Sequence, residues 1–392
     1  MNHVLATATP TLPHSWYLEP SHPAQELERI WYRDWIYAGR ASLWAREGDY
    51  RVLTIGTRRV IVLRDPRGSL QAFLDSCRHR GSALCSADSG RFATGRITCP
   101  YHQWSYGLDG SLLATPRRPA LAGFDPADHG LQRVALYDWR GFVFVNLDAA
   151  AAQGFDDAFA VEMAGLGSWP LERLQIAHRE THVKAFNWKV FWDNYLECVH
   201  CPGVHPQLCD LVPVYGTGQL RLDDAPGVAG PAADVEPRLR DGARSWTPDG
   251  QCRLPEFTAL DPQAIAPGMR FGTFVPSMFV VAHRDYVRTV SVRPRDVAHT
   301  EVSIEWLVHP DADVSAIDMT HLTSVGRTVV LEDARVSEFA QRGMTSRPDA
   351  SGVLMPQEYD VRAFQAWVAA RMRGDALAAP VWVGDVRVED SC

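Results

Sequence analysis

Four residues of metal-binding type stand in two short segments, Cys77-Arg-His79 and Cys99-Pro-Tyr-His102, with nineteen residues between them. Two cysteines and two histidines could hold one tetrahedral zinc ion. Zinc ribbons, however, usually use C-x-x-C knuckles, whereas here each segment supplies one thiol and one imidazole. Such a pair of segments can give both thiolates to one iron and both imidazoles to the other iron of a two-iron cluster.

The residues around these four resemble the Rieske domain of ring-hydroxylating oxygenases. Cys77-Arg-His-Arg-Gly81 and Cys99-Pro-Tyr-His-Gln-Trp-Ser-Tyr-Gly-Leu-Asp-Gly110 are both close to that family's motifs. The resemblance implies a Rieske [2Fe–2S] cluster, with Cys77 and Cys99 on one iron and His79 and His102 on the other. Gln103 stands where the family often has glycine. Cys85, between the two motifs, is predicted to be a buried structural thiol.

A second group of ligand-type residues follows Asn187-Trp-Lys189. A helix over 187–201 would place Asp193, Glu197 and His200 on one face, because they are spaced at i, i+4 and i+7. His205, just past that helix, can fold back toward His200. A non-haem ferrous centre of this kind also needs a carboxylate ligand and open positions for oxygen and substrate.

The best candidate for that carboxylate is Asp333, in a second predicted helix over 321–342. It interrupts an apolar stripe with a spacing of three or four residues, formed by Leu322, Val325, Val329, Val336 and Ala340. A lone buried carboxylate costs several kcal/mol, so Asp333 should be paired or bound to metal. Glu332 falls on the opposite face, three residues from Arg335, and is predicted to form a surface ion pair.

The segment that starts at Asn187 also resembles the catalytic subunit of Rieske oxygenases, in which N-W-K opens the helix and H-x-x-x-x-H supplies two iron ligands. The resemblance implies that His200 and His205 bind the mononuclear iron. It also implies that the carboxylate three residues before His200, which is Glu197, connects this iron to the Rieske cluster of a neighbouring subunit. Many members of the family have aspartate at that position.

Two other residue types in this segment invite an interpretation. Asp193 is predicted to orient the site through a hydrogen bond, as carboxylates behind metal ligands often do. Cys198 and Cys201 form a C-x-x-C pair, which could indicate zinc or redox chemistry. No second pair accompanies them, so we favour neither.

The elements that must position these residues change in character along the chain. A helix over 23–37 is followed by short β-branched runs up to about residue 147, and then by helices and further strands. We therefore predict an α+β protein with an N-terminal helical segment (1–44), an all-β Rieske domain (45–150) and a catalytic domain (151–392) in which helices pack on an antiparallel sheet. The Pro- and Gly-rich stretch 220–250 is predicted to be a mobile insertion or lid.

Composition excludes several other classes of protein. With 392 residues, 46% hydrophobic, the chain is long enough for more than one domain. The net charge of −8 and the lack of a basic stripe give no reason to expect nucleic acid as partner. The N-terminus lacks the pattern of a secretion signal and the apolar runs are too short to span a membrane, so we expect a cytoplasmic protein. In such a compartment the eight cysteines more often bind metal or lie buried than form disulfides.

The resemblance also implies a mechanism and partners. An electron would pass from His102 of one subunit through Glu197 of the next to the mononuclear iron, where oxygen is activated. Head-to-tail homotrimers are expected, because the two sites of one chain are too far apart for fast transfer. The sequence has no dinucleotide fingerprint and no plant-type ferredoxin cysteines, so an NAD(P)H-dependent reductase, with or without a ferredoxin, must be separate.

The substrate class is less sharply indicated. The residues Asp193-Asn-Tyr-Leu-Glu-Cys198 look most like the branch that hydroxylates or N-demethylates quaternary ammonium compounds such as choline, betaines and carnitine. An aromatic cage would then bind the cation, and its candidate members are Trp192, Tyr195, Phe271, Phe274 and Phe279, which could equally be core residues. The alternatives are a mono- or dioxygenase of aromatic rings, aromatic acids or natural products, and a non-catalytic electron carrier or structural zinc protein.

Overall fold

The structure is a computed structural model that describes residue 5 and residues 7–116, 122–148, 154–220 and 237–375. The chain divides into two compact units. Trp31–Ala152 forms one, which we call the β unit. Met1–Ile30 together with Gln153–Cys392 forms the other, which we call the α+β unit. Most of the predicted lid, 221–236, lies outside the described residues.

The strands pair antiparallel throughout. In chain order they are β1 (Thr9–Pro10), β2 (Ile36–Arg40), β3 (Asp49–Ile55), β4 (Arg58–Arg64), β5 (Leu70–Leu74), β6 (Ser89–Arg91), β7 (Arg96–Thr98), β8 (Ser105–Gly107), β9 (Leu112–Ala114), β10 (Ala135–Trp139), β11 (Phe142–Asn146), β12 (Gln175–Lys184), β13 (Met269–Phe274), β14 (Met278–His283), β15 (Val287–Pro294), β16 (Thr300–Val308) and β17 (Val353–Leu354).

The α-helices belong to the α+β unit. They are α1 (Ser15–Leu18), α2 (His22–Glu26), α3 (Phe155–Ala158), α4 (Ala160–Gly165), α5 (Trp188–Tyr195), α6 (Cys201–Val204), α7 (Pro206–Leu211), α8 (Pro262–Ile265), α9 (Met319–Met344) and α10 (Tyr359–Arg373). Helices and antiparallel sheets thus occur together, and the predicted α+β class is confirmed.

The β unit contains three small sheets, with strand orders β5-β4-β3-β6, β7-β8-β9 and β10-β11-β2. The apolar run Val60–Leu63 in β4 is completely buried, as expected for β-branched residues that pack on both faces. Ile61 and Leu63 share a core with Phe73 and Tyr106. This core supports the two loops that carry the cysteine–histidine motifs.

The predicted N-terminal helix over 23–37 is wrong in its second half. Helix α2 continues only as one π-helical turn, Leu27–Trp31, and residues 36–40 form β2, which pairs with β11. Residues 31–44 therefore cluster with the β unit and not with the N-terminal segment. The alternation of apolar residues over so short a stretch suits a helix end and a buried strand equally well.

The α+β unit is built on one five-stranded sheet of order β12-β16-β15-β14-β13. Helices α5 and α9 contact each other and the sheet. Asn187 caps α5 by accepting a hydrogen bond from the backbone N–H of Lys189, and Asp318 caps α9 in the same way through His321. These caps fix where both helices begin, and both helices carry candidate site residues.

The predicted helix over 187–201 is also wrong in length, because α5 ends at Tyr195. The Cys201 N–H bonds to the Cys198 carbonyl, three residues back, whereas a continuing α-helix would use the carbonyl of Glu197. The Glu197 carboxylate accepts a hydrogen bond from the His200 N–H at 3.2 Å. A side chain that bonds a nearby backbone N–H in this way competes with the hydrogen bonds of the helix. The chain accordingly turns before His200.

A buried polar network ties the N-terminal segment to α5 and α10. Lys189 forms an ion pair with Glu26, and both side chains are almost inaccessible to solvent. Asp193 accepts hydrogen bonds from the Tyr17 hydroxyl at 2.6 Å and from the Gln365 amide at 3.0 Å. Unpaired buried charges are costly. Because Lys189 and Asp193 have these partners, α5 can be buried on the side that carries its polar residues as well as on its apolar side.

Burial raises the pKa of Asp193 from 3.8 to about 6, against the lowering effect of its hydrogen bonds to Tyr17 and Gln365. A carboxyl whose folded pKa exceeds its unfolded pKa binds its proton more tightly in the folded state, so folding stability falls as the pH rises from about 4 to about 6. Between pH 4 and 7 the unfolding free energy of wild type should drop by roughly 2 kcal/mol relative to Asp193→Asn. Urea denaturation across this pH range would measure it. A pH-independent difference between the two proteins would contradict the assignment.

Candidate functional site

The two cysteine–histidine loops of the β unit have the same hydrogen-bond pattern. The Cys77 N–H bonds to the Ser82 carbonyl, and the Gly81 N–H bonds back to Cys77. In the second loop the Cys99 N–H bonds to Trp104 and the Gln103 N–H bonds back to Cys99. Each loop is thus a tight turn that holds its cysteine at the base.

Gly81 and Gln103 occupy the same place in these turns, four residues after the cysteine. Both have left-handed backbone, with φ of 73° and 62°. Glycine adopts this conformation at little cost, whereas other residues pay for it. This requirement gives a physical reason for the family's frequent glycine at the position of Gln103.

The thiols and the imidazoles of the two loops lie on different sides. Cys77 and Cys99 are buried, and the Tyr106 hydroxyl lies 3.2 Å from the Cys77 sulfur. The rings of His79 and His102 lie 4.6 Å apart, toward the surface. A buried pair of sulfurs and an outer pair of ring nitrogens fit a Rieske cluster, in which one iron takes two thiolates and the other takes two imidazoles.

Cys85 does not join this group. It is buried, and its pKa is raised to about 12 by burial and by the nearby Asp75 carboxylate. A thiol that ionises so reluctantly is a poor ligand, in line with the structural role predicted for it.

A second group of ligands comes together in the α+β unit. His200, His205 and Asp333 each offer a ligand atom, and these atoms lie within 4.8 Å of one another. Asp333 Oδ1 lies 2.8 Å from His205 Nε2 and 3.2 Å from His200 Nε2. Two imidazoles and one carboxylate on one side of a cavity are the donor set of non-haem ferrous oxygenases.

Each of the two histidines is held from behind by a second carboxylate. Glu197 Oε1 lies 2.5 Å from His200 Nδ1. Glu332 Oε2 lies 2.8 Å from His205 Nδ1 and also accepts a hydrogen bond from the Gln207 amide. Such partners fix the tautomer, because a proton on Nδ1 leaves the Nε2 lone pair for the metal.

The predicted role of Glu332 as a surface ion-pair partner of Arg335 is therefore wrong. Its side chain reaches around α9 to His205, which comes from the turn between α6 and α7. A helical wheel places Glu332 and Asp333 100° apart, but it does not reveal that one imidazole can contact both of them. The structure thus adds Glu332 to the candidate site residues.

Asp193 does not contact the histidine site. Its hydrogen bonds go to Tyr17 and Gln365, because α5 ends before Glu197 and the predicted common face is broken. The prediction that Asp193 orients the candidate iron site through a hydrogen bond is therefore wrong. Asp193 instead links α5 to the N-terminal segment and to α10.

The protonation of the ligand group follows from its contacts. Burial alone would lower the pKa of His200, but hydrogen bonds to Asp333 and Glu197 raise it to about 10. Burial would raise the pKa of Asp333, yet hydrogen bonds from His200 and His205 lower it overall. A metal ion would have to displace a proton shared by these groups, so metal binding should release protons.

Cys198 and Cys201 lie beside this site and are joined by a disulfide. The general expectation that the cysteines of this chain remain without disulfides is wrong for this pair. The other cysteines that the structure describes are free.

The three candidate ligands line a cavity of about 190 Å³. Its aromatic walls are Tyr195, Tyr215, Trp246, Phe271, Phe279 and Tyr359, and its charged lining beyond the ligands comprises Glu197, Arg270, Arg288 and Asp360. Of the five candidate cage residues, Tyr195, Phe271 and Phe279 line the cavity, whereas Trp192 and Phe274 are not among its lining residues and lie in the core. The sequence offered no signal that would bring Tyr215 or Trp246 to this cavity.

No helix in the described ranges is both long and apolar enough to cross a bilayer. The helix α9, which is long, carries charged residues along its length.

Two family models match the chain. The model described as "Rieske [2Fe-2S] domain" matches residues 34–125. The model described as "Ring hydroxylating alpha subunit (catalytic domain)" matches residues 171–374, about half of the chain. The two matches cover both groups of ligand residues.

Curated relatives match this chain over most of their own length. The chain is 30% identical over 359 residues to the glycine betaine monooxygenase oxygenase subunit of Chromohalobacter salexigens, covering 86% of this chain and 80% of the relative. It is 28% identical over 387 residues to the protein of that name from Pseudomonas aeruginosa, with 92% and 89% covered. It is also 28% identical over 368 residues to the chloroplastic choline monooxygenase of Beta vulgaris, with 91% and 76% covered.

Solved structures share the fold. The quaternary ammonium Rieske monooxygenase CntA superimposes with a TM-score of 0.70 at 23% identity, covering 93% of this chain and 96% of that one. Naphthalene 1,2-dioxygenase from Rhodococcus gives the same TM-score at 20% identity, with 94% and 95% covered. At such identities the likeness concerns architecture, which here serves very different substrates.

The contact between Glu332 and His205 yields a test of the metal site. Glu332→Ala should weaken Fe(II) binding at the histidine site by roughly 10- to 100-fold, because His205 loses the partner that fixes its tautomer. Asp333→Ala, which removes a ligand, should abolish binding there. Fe(II) titration against a competing chelator measures both, and the Rieske electron resonance signal should be unchanged. Glu338→Ala, on the same helix, is the control. If it binds iron as weakly as Glu332→Ala, the contact is irrelevant to the site.

Proposed function

The chain belongs to the family of ring-hydroxylating oxygenase alpha subunits, and on that premise we propose that it oxidises a small quaternary ammonium compound at a carbon beside the nitrogen. The family defines the chemistry. These proteins are Rieske non-haem iron oxygenases that use a [2Fe–2S] cluster, a mononuclear iron and O₂, with electrons from a separate reductase. The substrate class and the residue roles are our proposal.

For the cluster we propose the ligands Cys77, Cys99, His79 and His102, and for the mononuclear iron His200, His205 and Asp333. The observation that carries the second assignment is the convergence of these three side chains on one point of a cavity wall. When bound there, iron supplies the reductive activation of dioxygen.

The protein's own residues prepare the site for that chemistry. Glu197 and Glu332 hold the Nδ1 atoms of His200 and His205, so that both Nε2 atoms face Asp333. The aromatic walls of the cavity exclude water around a bound substrate. A substrate carbon held between these walls and the ligands is protected from competing reactions with solvent.

The proposed substrate class rests on the relatives and on the cavity walls. The relatives reported above are oxygenase subunits for glycine betaine and choline. Tyr195 and Phe279 stack at 4.1 Å between ring centroids along one wall, and Trp246 and Phe271 stand nearby at 6.3 Å from each other. Aromatic faces of this kind attract quaternary ammonium groups, which cannot donate hydrogen bonds.

We also infer that three copies assemble head to tail, so that Glu197 of one copy meets His102 of the next. In support, Glu197 already contacts His200, and His102 lies on the outer side of its own loop. A solved quaternary ammonium Rieske monooxygenase is described with inter-subunit electron transfer. A carboxylate between two imidazoles could accept a hydrogen bond from each.

The substrate proposal has a direct test. With a surrogate reductase and ¹⁸O₂, trimethylated ammonium compounds should stimulate oxygen uptake. Mass spectrometry should find one labelled oxygen in a hydroxylated product, or, where a methyl group is lost, the unlabelled dimethyl amine, because the inserted oxygen then leaves with the lost carbon as formaldehyde. The Asp333→Ala protein, which lacks the iron ligand, should give neither. Turnover of aromatic acids or rings alone would sink the proposal and favour an aromatic-ring oxygenase.

The bridging role of Glu197 is tested by Glu197→Gln. The amide is nearly isosteric and its oxygen can still accept from His200 Nδ1, so both metals and the assembly should be retained. Rieske reoxidation after mixing the reduced protein with substrate and O₂ should nevertheless fall to a small fraction of the wild-type rate. With the amide oxygen on His200, the group turned toward the second imidazole is an NH₂, which donates and cannot accept. Stopped-flow absorbance at matched iron content measures this, with Glu338→Gln as control. Rates within a few-fold of wild type would show that the route lies elsewhere.

A further inference from the structure

Arg288 is a buried cation in the wall of the cavity. It lies in β15, is 2% exposed and lines the same cavity as Asp333. Its Nη1 donates a hydrogen bond to the Gly326 carbonyl at 2.9 Å, while its Nε has no hydrogen-bond partner among the described residues. Within those same ranges, no carboxylate forms an ion pair with it. The guanidinium therefore has donor capacity left over.

Burying a guanidinium without a carboxylate partner costs free energy unless another group offsets its charge. A guanidinium stays protonated in proteins, so it cannot escape burial by losing its charge. Burial works against that charge and lowers the pKa of Arg288. Of the carboxylates that line the cavity with it, Asp333 is already committed to His200 and His205, and Glu197 to His200. A buried charge without a partner is normally found only where a ligand supplies the partner.

The neighbouring helix is shaped to admit this side chain. A Cβ on Gly326, in α9, would lie 2.8 Å from Cδ and 3.0 Å from Nε of Arg288. Glycine inside a helix lowers helix stability by roughly 1 kcal/mol relative to alanine. At Gly326 the arginine side chain occupies the space that a Cβ would take. The helix backbone both makes room for the guanidinium and holds one of its nitrogens.

Arg288 also changes what the aromatic walls can bind. Its guanidinium carbon lies 5.4 Å from the centroid of the Trp246 ring and 5.9 Å from that of Phe279. Trp246 and Phe279 thus already face a cation, which leaves Tyr195 and Phe271, of the four rings named for the proposed function, to attract an ammonium group. A substrate that carries only positive charge would be repelled at this end of the cavity.

We propose that Arg288 binds a carboxylate of the substrate and is a specificity-determining residue of this enzyme. The substrate class is therefore an organic acid. Under the proposed function, on which this inference rests, it is a zwitterionic betaine and not a bare cation such as choline. The carboxylate fixes one end of the molecule at Arg288 and leaves the other end for the wall formed by His200, His205 and Asp333.

Equilibrium binding to the oxidised holoprotein, which does not turn over without reductant, tests the proposal with two matched pairs. Glycine betaine and choline share the trimethylammonium group and differ in carboxylate against alcohol, as do benzoate and benzyl alcohol among aromatic compounds. Wild type should bind the carboxylate of a pair more tightly. Arg288→Met should weaken that binding by roughly 10- to 100-fold, the loss expected for hydrogen bonds between charged groups, and should leave the binding of the alcohol equal or improved.

Two further variants keep the result interpretable. Gly326→Ala retains the charge but displaces Arg288, and it should also weaken carboxylate binding. Arg335→Met removes the same charge from the exposed side of α9 and should change nothing. Iron content and melting temperature of each variant show whether it is folded.

The outcomes separate this inference from the proposed function. If benzoate but not glycine betaine binds, and Arg288→Met loses it, Arg288 is an anion receptor and the quaternary ammonium proposal fails. If wild type binds choline as well as glycine betaine and Arg288→Met changes neither, the inference about Arg288 is overturned while the proposed function stands.

Discussion

The candidate iron site depends on keeping one partly buried carboxylate ionised. Asp333 lies within α9, and its charge is sustained by the Nε2 atoms of His200 and His205. Both imidazoles must approach the same oxygen, whereas a helix that continued past Tyr195 would carry His200 along the direction of α5. The end of α5 at Tyr195 is therefore needed to form the site. The turn that follows is shaped by Glu197, whose carboxylate bonds both the backbone and the ring of His200.

The same constraint explains why local sequence reasoning predicted the candidate ligands that the structure brings together but missed the carboxylates behind them. The cysteine–histidine turns and the His200–His205 pair are each encoded within a few residues, and an acid that interrupts an apolar helix stripe, such as Asp333, must have a partner. Glu332 was misassigned because its partner His205 is 127 residues away along the chain. Neither propensity nor periodicity reports which side chains from a distant turn will reach a helix.

The fold shows the same division between local and non-local information. The antiparallel β unit and the long helix α9 follow from strong patterns, and the α+β class was predictable. The errors fall at element ends, in α5 and in the helix expected over 23–37, where tertiary pairing decided between helix and strand or turn. Arg288 could have been noticed, because a lone arginine inside the buried run of β15 breaks the rule for strands with two covered faces.

The charges around the candidate metal site also bear on how a substrate lies in the cavity. Glu197 and Asp333 stand at the histidine wall, where the two imidazoles offset their negative charge, whereas Arg288 is a buried positive charge without a carboxylate partner in the described residues. A molecule with separated charges feels this asymmetry more strongly than a neutral one, since Coulomb terms weaken little in a cavity that excludes water. Orientation then comes from the protein's charge distribution and needs no close fit around the reacting carbon. Because Arg288 and the histidine wall are both fixed, a substrate anchored at Arg288 would have to match the distance between them, so the anchor would also select substrates by length.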